Sequence, residues 1–226
     1  MNGAELVSPI ALTLALAIGV AAILVVLATP IAWWLAQSRW AGKEVVGAVT
    51  TLPLVLPPTV LGFYVLLALG PHGPGGWLAG LWGARTLAFS FAGLVVGGVI
   101  ASLPFMVQPL RNAFAAIEVD VLESADTLGA SRWQRFWRIA VPLARPGYLL
   151  GAILAFAHTM GEFGVVLMIG GNIPGQTKVL SIAIYDFVER LEWEKAHALA
   201  VGMVTFGFLV VLSTLVVGRG RSNVLR

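Results

Sequence analysis

Long stretches without charge constrain this chain more than any other feature. Residues 9–38, 45–70, 86–110 and 197–218 contain no Asp, Glu, Lys or Arg, and residues 146–170 contain only Glu162. Each stretch supplies the ~20 residues that a ~30 Å hydrocarbon core requires of a helix. The chain is 58% hydrophobic and 11% charged, whereas soluble domains carry about 25% charged residues. In lipid the backbone must satisfy its own polar groups, so spans of this length are helical. The expected fold is an all-α integral membrane protein with five transmembrane helices. A sixth would require Pro53, Pro57 and Pro58 to split the second stretch into two short halves with no charged loop between them.

Five spans put the termini on opposite sides, and the basic residues choose the sides. With the N-terminus outside, the inside segments hold Arg39, Lys43, Arg111, Arg132, Arg135, Arg138, Arg145, Arg219, Arg221 and Arg226. The outside segments hold Arg85, Lys178, Arg190 and Lys195. Ten against four, of 14 basic residues in all, points to a periplasmic N-terminus and a cytoplasmic C-terminus. Residues 1–9 lack a basic region, and the apolar run after them is too long for a cleavable leader, so the first span is expected to stay. Clustering of the cations between spans fits membrane orientation rather than nucleic-acid binding. The absence of cysteine excludes disulfides, thiol catalysis and cysteine-bound metals.

Residues 111–145 form the longest polar segment on the inside. Glu118–Leu128 can form a short helix with acids near its N-terminus, and Gly129 supplies a stop. Ser131 is placed to cap a second helix. That helix would carry Trp133, Phe136, Trp137 and Ala140 on one face, suited to the membrane interface. A passive connector need not be this long, so a docking surface is expected.

The spacing here also resembles a family. Glu123-Ser124-Ala125, three residues, Gly129, nine residues, Ile139, one residue, then Val141-Pro142 is similar to the EAA loop of ABC importer permeases. Ser124 and Val141 replace an alanine and a leucine of that pattern with small or aliphatic residues. The resemblance implies a type I importer core whose cytoplasmic coupling helix inserts into the ATPase subunit. It implies coupling roles for Glu123, Ser124, Ala125, Asp126, Leu128, Gly129, Ile139 and Pro142. No G-x-x-x-x-G-K-[ST] loop occurs, so the chain is not expected to be an enzyme. ATP and Mg would belong to the partner, with no cofactor or metal held by this chain.

A second stretch, Glu162-Phe-Gly-Val-Val-Leu-Met-Ile-Gly-Gly-Asn-Ile-Pro-Gly175, together with residues 52–62, resembles the molybdate branch of these permeases. The resemblance implies a homodimer in a bacterial inner membrane, with two ABC ATPase subunits and a periplasmic molybdate-binding protein. Sulfate, thiosulfate or tungstate permeases are the near alternative, and a proton-coupled carrier using Glu162 is the distant one.

Pro57-Pro58 inside a span should kink or unwind it, and irregular backbone at membrane depth is tolerated where it lines a cavity. Pro57, Pro58, Thr59 and Glu162 are therefore the candidates for the translocation path or gate, against a simple packing kink. An acid repels an oxyanion, so Glu162 is expected to anchor structure rather than touch substrate. His158 is given no role. Gly93/Gly97 and Gly147/Gly151 have the spacing for close helix contact. Residues 179–193 read as an external amphipathic segment with a solvated edge of Asp186, Glu189 and Glu192.

Overall fold

The computed structural model describes residues 3–81 and 83–222; Met1, Asn2 and Arg226, which entered the expectations above, lie outside them. All regular structure among the described residues is helical. In chain order the helices are α1 (Gly3–Gln37), α2 (Lys43–Thr51), α3 (Pro58–Leu69), α4 (Pro74–Gly80), α5 (Phe91–Ala115) and α6 (Val119–Thr127). They continue with α7 (Arg132–Arg135), α8 (Val141–Leu143), α9 (Arg145–Gly161), α10 (Gly164–Gly170), α11 (Leu180–Glu189) and α12 (Trp193–Ser222). A 3-10 turn, Leu52–Leu54, follows α2, and a π turn, Phe136–Ala140, joins α7 to α8.

Helices α1, α5 and α9 form the central bundle. On α1, Leu16, Val20, Leu24, Ala28, Ala32 and Leu35 make one fully buried stripe at helical spacing. It packs against Met106, Val107, Leu110 and Phe114 of α5 and Ala155 of α9. Lipid tails are as apolar as leucine, so such helices associate by close packing rather than by hydrophobicity alone. Glycine provides that closeness. A Cβ on Gly151 would lie 2.6 Å from Met106 Sδ, and one on Gly147 would collide with Ala113. On α5, a Cβ at Gly97 would collide with Ile169 of α10. The second small-residue pair thus joins α9 to α5, and Gly97 of the first joins α5 to α10.

Three expected spans differ from the structure. The second stretch is two helical pieces, residues 43–54 and 58–69, meeting at 108°. Pro57 is extended (φ −54°, ψ 134°) and Pro58 opens α3, because a proline before the helix removes the donor needed to continue the previous one. The third span begins at Phe91, five residues later than expected, and runs on to Ala115. Residues 86–90 spend their polar groups elsewhere. The Thr86 hydroxyl donates to Leu69 O (2.8 Å), Phe89 N–H to Ile169 O (2.8 Å), and Ser90 Oγ accepts from Gly93 N–H (3.1 Å) as the cap of α5. The fourth span is interrupted at Glu162-Phe163, which separates α9 from α10.

Helices α1, α5 and α12 are each long and apolar enough to cross a membrane alone. The two bent pairs, residues 43–69 and 132–161, bring the number to five if each is one span.

Candidate coupling segment and translocation path

Helix α6 is fixed by one face and open on the other. Leu122 and Ala125 are each 6% exposed, and Leu122 joins the core beside Phe114, Ile117 and Ala140. Glu123, Ser124, Asp126 and Thr127 face outward, and Leu128 at the tip is 88% exposed. Gly129 ends the helix at φ +82°. Its N–H donates to Asp126 O (3.0 Å) and Ala130 N–H donates to Ala125 O (3.0 Å), a Schellman cap. A residue with a Cβ pays about 1–2 kcal/mol for that conformation.

Ser131 caps α7 reciprocally. Its Oγ accepts from Gln134 N–H (3.2 Å) while its N–H donates to Gln134 Oε1 (2.9 Å). From α7, Arg135 reaches back to an ion pair with Asp126, tying the two helices together. Ile139 packs on the core and Pro142 sits in the first turn of α8, where a missing N–H is tolerated. The expected face of Trp133, Phe136, Trp137 and Ala140 is kept in its rings, Trp133 and Trp137 lying 5.5 Å apart and Phe136 and Trp137 5.0 Å apart, edge to face, but it does not stand free at the surface. The π turn changes the register: Phe136 turns inward onto Trp33 (5.4 Å between ring centroids), Ala140 is fully buried, and Trp133 and Trp137 stay at the surface.

The candidate path residues meet at a second place, where two broken spans touch. A Cβ on Gly164 would stand 2.7 Å from Pro58 Cβ and 3.5 Å from Thr59 N, and one on Gly62 would stand 2.8 Å from Met168 Cβ. Close contact between α3 and α10 therefore brings Pro58 and Thr59 against the break that follows Glu162. Pro57, Pro58 and Thr59 are exposed, whereas Glu162 is buried.

Glu162 does not lie inside a continuous helix. Its Oε1 accepts from Val165 N–H (3.0 Å), so the carboxylate caps α10 at the end where the helix dipole favours negative charge. Its backbone carbonyl accepts from Ser181 Oγ (2.7 Å), and its Oε2 lies 3.5 Å from His158 Nε2. His158 stacks on Phe105 (4.1 Å) and its Nδ1 meets Ser102 Oγ at 3.0 Å; Ser102 in turn meets Thr159 at 2.8 Å. The break is thus held from α5, α9, α10 and α11.

The expected acidic edge after residue 179 is also divided. Asp186 is buried, and it pairs with Lys178 and Arg190 and accepts from Asn172 Nδ2 (3.0 Å). Burial alone would raise its carboxyl, but those hydrogen bonds and cations outweigh it and hold Asp186 below the usual carboxylate range. Glu189 accepts from the Tyr185 hydroxyl (2.7 Å), which pushes that phenol up, and Glu192 pairs with Lys195. Only the last two carry the solvated edge.

Residues 28–222 match the family described as binding-protein-dependent transport system inner membrane component. The chain belongs to that family. Among relatives of this inner membrane component, the molybdenum transport system permease protein ModB of Azotobacter vinelandii is 58% identical over 204 residues, 90% of each chain. The sulfate transport system permease protein CysT of Escherichia coli (strain K12) is 31% identical over 183 residues, 80% of this chain and 65% of that one. The fold is shared with a chain in the crystal structure of a bacterial alginate ABC transporter in complex with an alginate pentasaccharide-bound periplasmic protein. There the TM-score is 0.70 at 18% identity, covering 94% of this chain and 78% of that one.

Several residues that shape this family member's two sites were missed in the sequence. Ser102 and Ser181 are small hydroxyls inside or beside apolar runs, and Gly164 is one of 26 glycines. Their partners lie far away in sequence. The one local signal was Glu162 three residues before Val165, the spacing at which a carboxylate can cap a helix.

Proposed function

We propose that this chain is the membrane-spanning, non-catalytic permease subunit of an ATP-driven importer that passes molybdate inward from a periplasmic binding protein. The observation that carries the importer assignment is α6: a short helix anchored through Leu122 and Ala125, ended by a glycine cap, with an 88% exposed leucine at its tip. An exposed leucine on a rigid polar helix is shaped for a partner's apolar cleft. The molybdate assignment rests on 58% identity across 90% of a molybdenum transport permease, against 31% for a sulfate permease.

Within this proposal two copies of the chain, each with five spans and an outside N-terminus, enclose one path. Two ABC ATPase subunits bind ATP and Mg and dock on the cytoplasmic segment 111–145 of each copy. Glu123, Ser124, Asp126 and Leu128 meet the ATPase. Ala125, Gly129, Ile139 and Pro142 hold α6 in place. Closure of the motor draws the two α6 helices together and opens the path outward, ATP binding supplying the bias between two states. Pro57, Pro58 and Thr59 present the exposed backbone at the junction of broken spans, and buried Glu162 stabilises that junction without touching the anion.

The test is ATP hydrolysis by the complete transporter in liposomes, with binding protein loaded with molybdate, tungstate or sulfate. Molybdate and tungstate, matched in size and charge, are expected to stimulate, and sulfate is not. Stimulation by sulfate alone would keep the importer and overturn the substrate.

A further inference from the structure

Between α1 and the π turn lies an open groove of about 600 Å³. Val25, Val26 and Pro30 line one side, and Trp133, Trp137 and Val141 the other. The hydroxyls of Thr29 and Tyr148 lie 2.9 Å apart, and Thr29 also bonds Val25 O, so these two hydroxyls are satisfied within the groove wall. Among the described residues, Arg145 is the only charged one lining it. Arg132 and Arg138 directly adjoin Trp133 and Trp137 in sequence. None of these three arginines has an ion-pair partner among the described residues.

We propose that this groove binds one acidic phospholipid of the inner leaflet, with acyl chains along α1 and the anionic headgroup at Arg145. The inference rests on the inside placement of residues 111–145 given above. Depth agrees with it: Thr29 lies eight residues from the end of α1, about 12 Å at 1.5 Å per residue, within the ~15 Å of one leaflet's hydrocarbon. Tryptophan prefers the headgroup boundary, where Trp133 (70% exposed) and Trp137 (48%) would lie. An uncompensated cation over an apolar recess selects an anionic amphiphile rather than a free anion, which would leave the recess unfilled, or a zwitterionic lipid, whose own ammonium offsets its phosphate. Helix α12 offers an internal contrast. Val204, Phe208 and Leu212 are similarly exposed, but its residues 197–218 carry no cation.

The test is photo-crosslinking of the assembled transporter in nanodiscs containing a photoactivatable phosphatidylglycerol analogue, with sites mapped by mass spectrometry. Labelling is expected to concentrate on peptides holding Val26 and Trp137 over those holding Val204 and Phe208. Excess phosphatidylglycerol should displace it and phosphatidylcholine should not. Arg145→Gln should lower occupancy roughly fivefold, the effect of one basic residue at an anionic surface. Val26→Trp, which fills the groove, should abolish labelling at an unchanged melting temperature. Even labelling of α12, or equal displacement by phosphatidylcholine, would overturn the proposal. The chain has no cysteine, so Gln37→Cys with an impermeant maleimide separately reports sidedness. Labelling from outside would refute the orientation whatever the lipid result.

Discussion

The coupling segment and the junction of broken spans are built by opposite means. In the segment, the capping contacts at the helix ends each span a few residues: Gly129 with Asp126, Ala130 with Ala125, Ser131 with Gln134. At the junction the contacts cross the chain: Ser181 to Glu162, Ser102 to His158, Gly164 to Pro58. One region is a solvent-facing device whose shape is written locally, and the other exists only after the bundle has packed. Damage to the first should therefore uncouple a stable protein, whereas damage to the second should destabilise it.

The largest expected effect is on the first side of that contrast. Gly129→Asp forces a charged side chain into φ +82° beside the surface proposed to meet the ATPase. Transport should fall below detection while the permease keeps a melting temperature within a few degrees of wild type, since the conformational cost is about 1–2 kcal/mol. Transport at the wild-type rate would break the comparison. On the other side, Gly164→Val places atoms into Pro58. Overpacking of this kind costs about 1–3 kcal/mol, so thermal stability should drop more than for Gly129→Asp, and assembly yield with it.

A smaller, pH-dependent effect is expected outside the bundle. Asp186 is held below the usual carboxylate range, so its contribution is fully present above the unfolded value near 3.9 and is lost as pH falls through the lower folded one. Asp186→Asn should lower stability by about 2 kcal/mol, as for charge-assisted hydrogen bonds. The deficit should be constant from pH 5 to 8 and close in stronger acid. A deficit that changed between pH 6 and 8 would implicate another group. The smallest effect is expected for Glu162→Gln, which keeps an oxygen acceptor for Val165 N–H. Transport should stay within about twofold of wild type, as expected for retained capping. Abolished transport in an intact complex would restore the proton-coupled alternative.

The same contrast explains what could be read in advance. Helix α6 was expected at 118–128 and runs Val119–Thr127, because a glycine stop and a serine cap announce themselves within four residues. The five apolar stretches also stood out, since lipid permits little else. Their interruptions did not. A break inside an apolar run leaves hydropathy unchanged when hydroxyls such as Ser181 or Thr86 take the freed carbonyls, and nothing nearby in sequence names those partners. Pro57-Pro58 showed where the second span bends, but not that Gly164 would lie against it. Asp186 at helical spacing with Glu189 read as solvated because Lys178 comes from the loop before the helix. The aromatic face kept its ring contacts, but a π turn that the spacing does not reveal buries Ala140 and turns Phe136 onto Trp33 as well.

The central claim is that α6 is the contact through which a separate ATPase drives this permease. A photo-crosslinking residue in place of Leu128, 88% exposed at the tip, tests it in the assembled transporter. Efficient cross-linking to the ATPase subunit, with a yield that changes between the nucleotide-free and ATP-bound states, is the expected result. Cross-linking only to lipid or to the periplasmic binding protein would contradict the account.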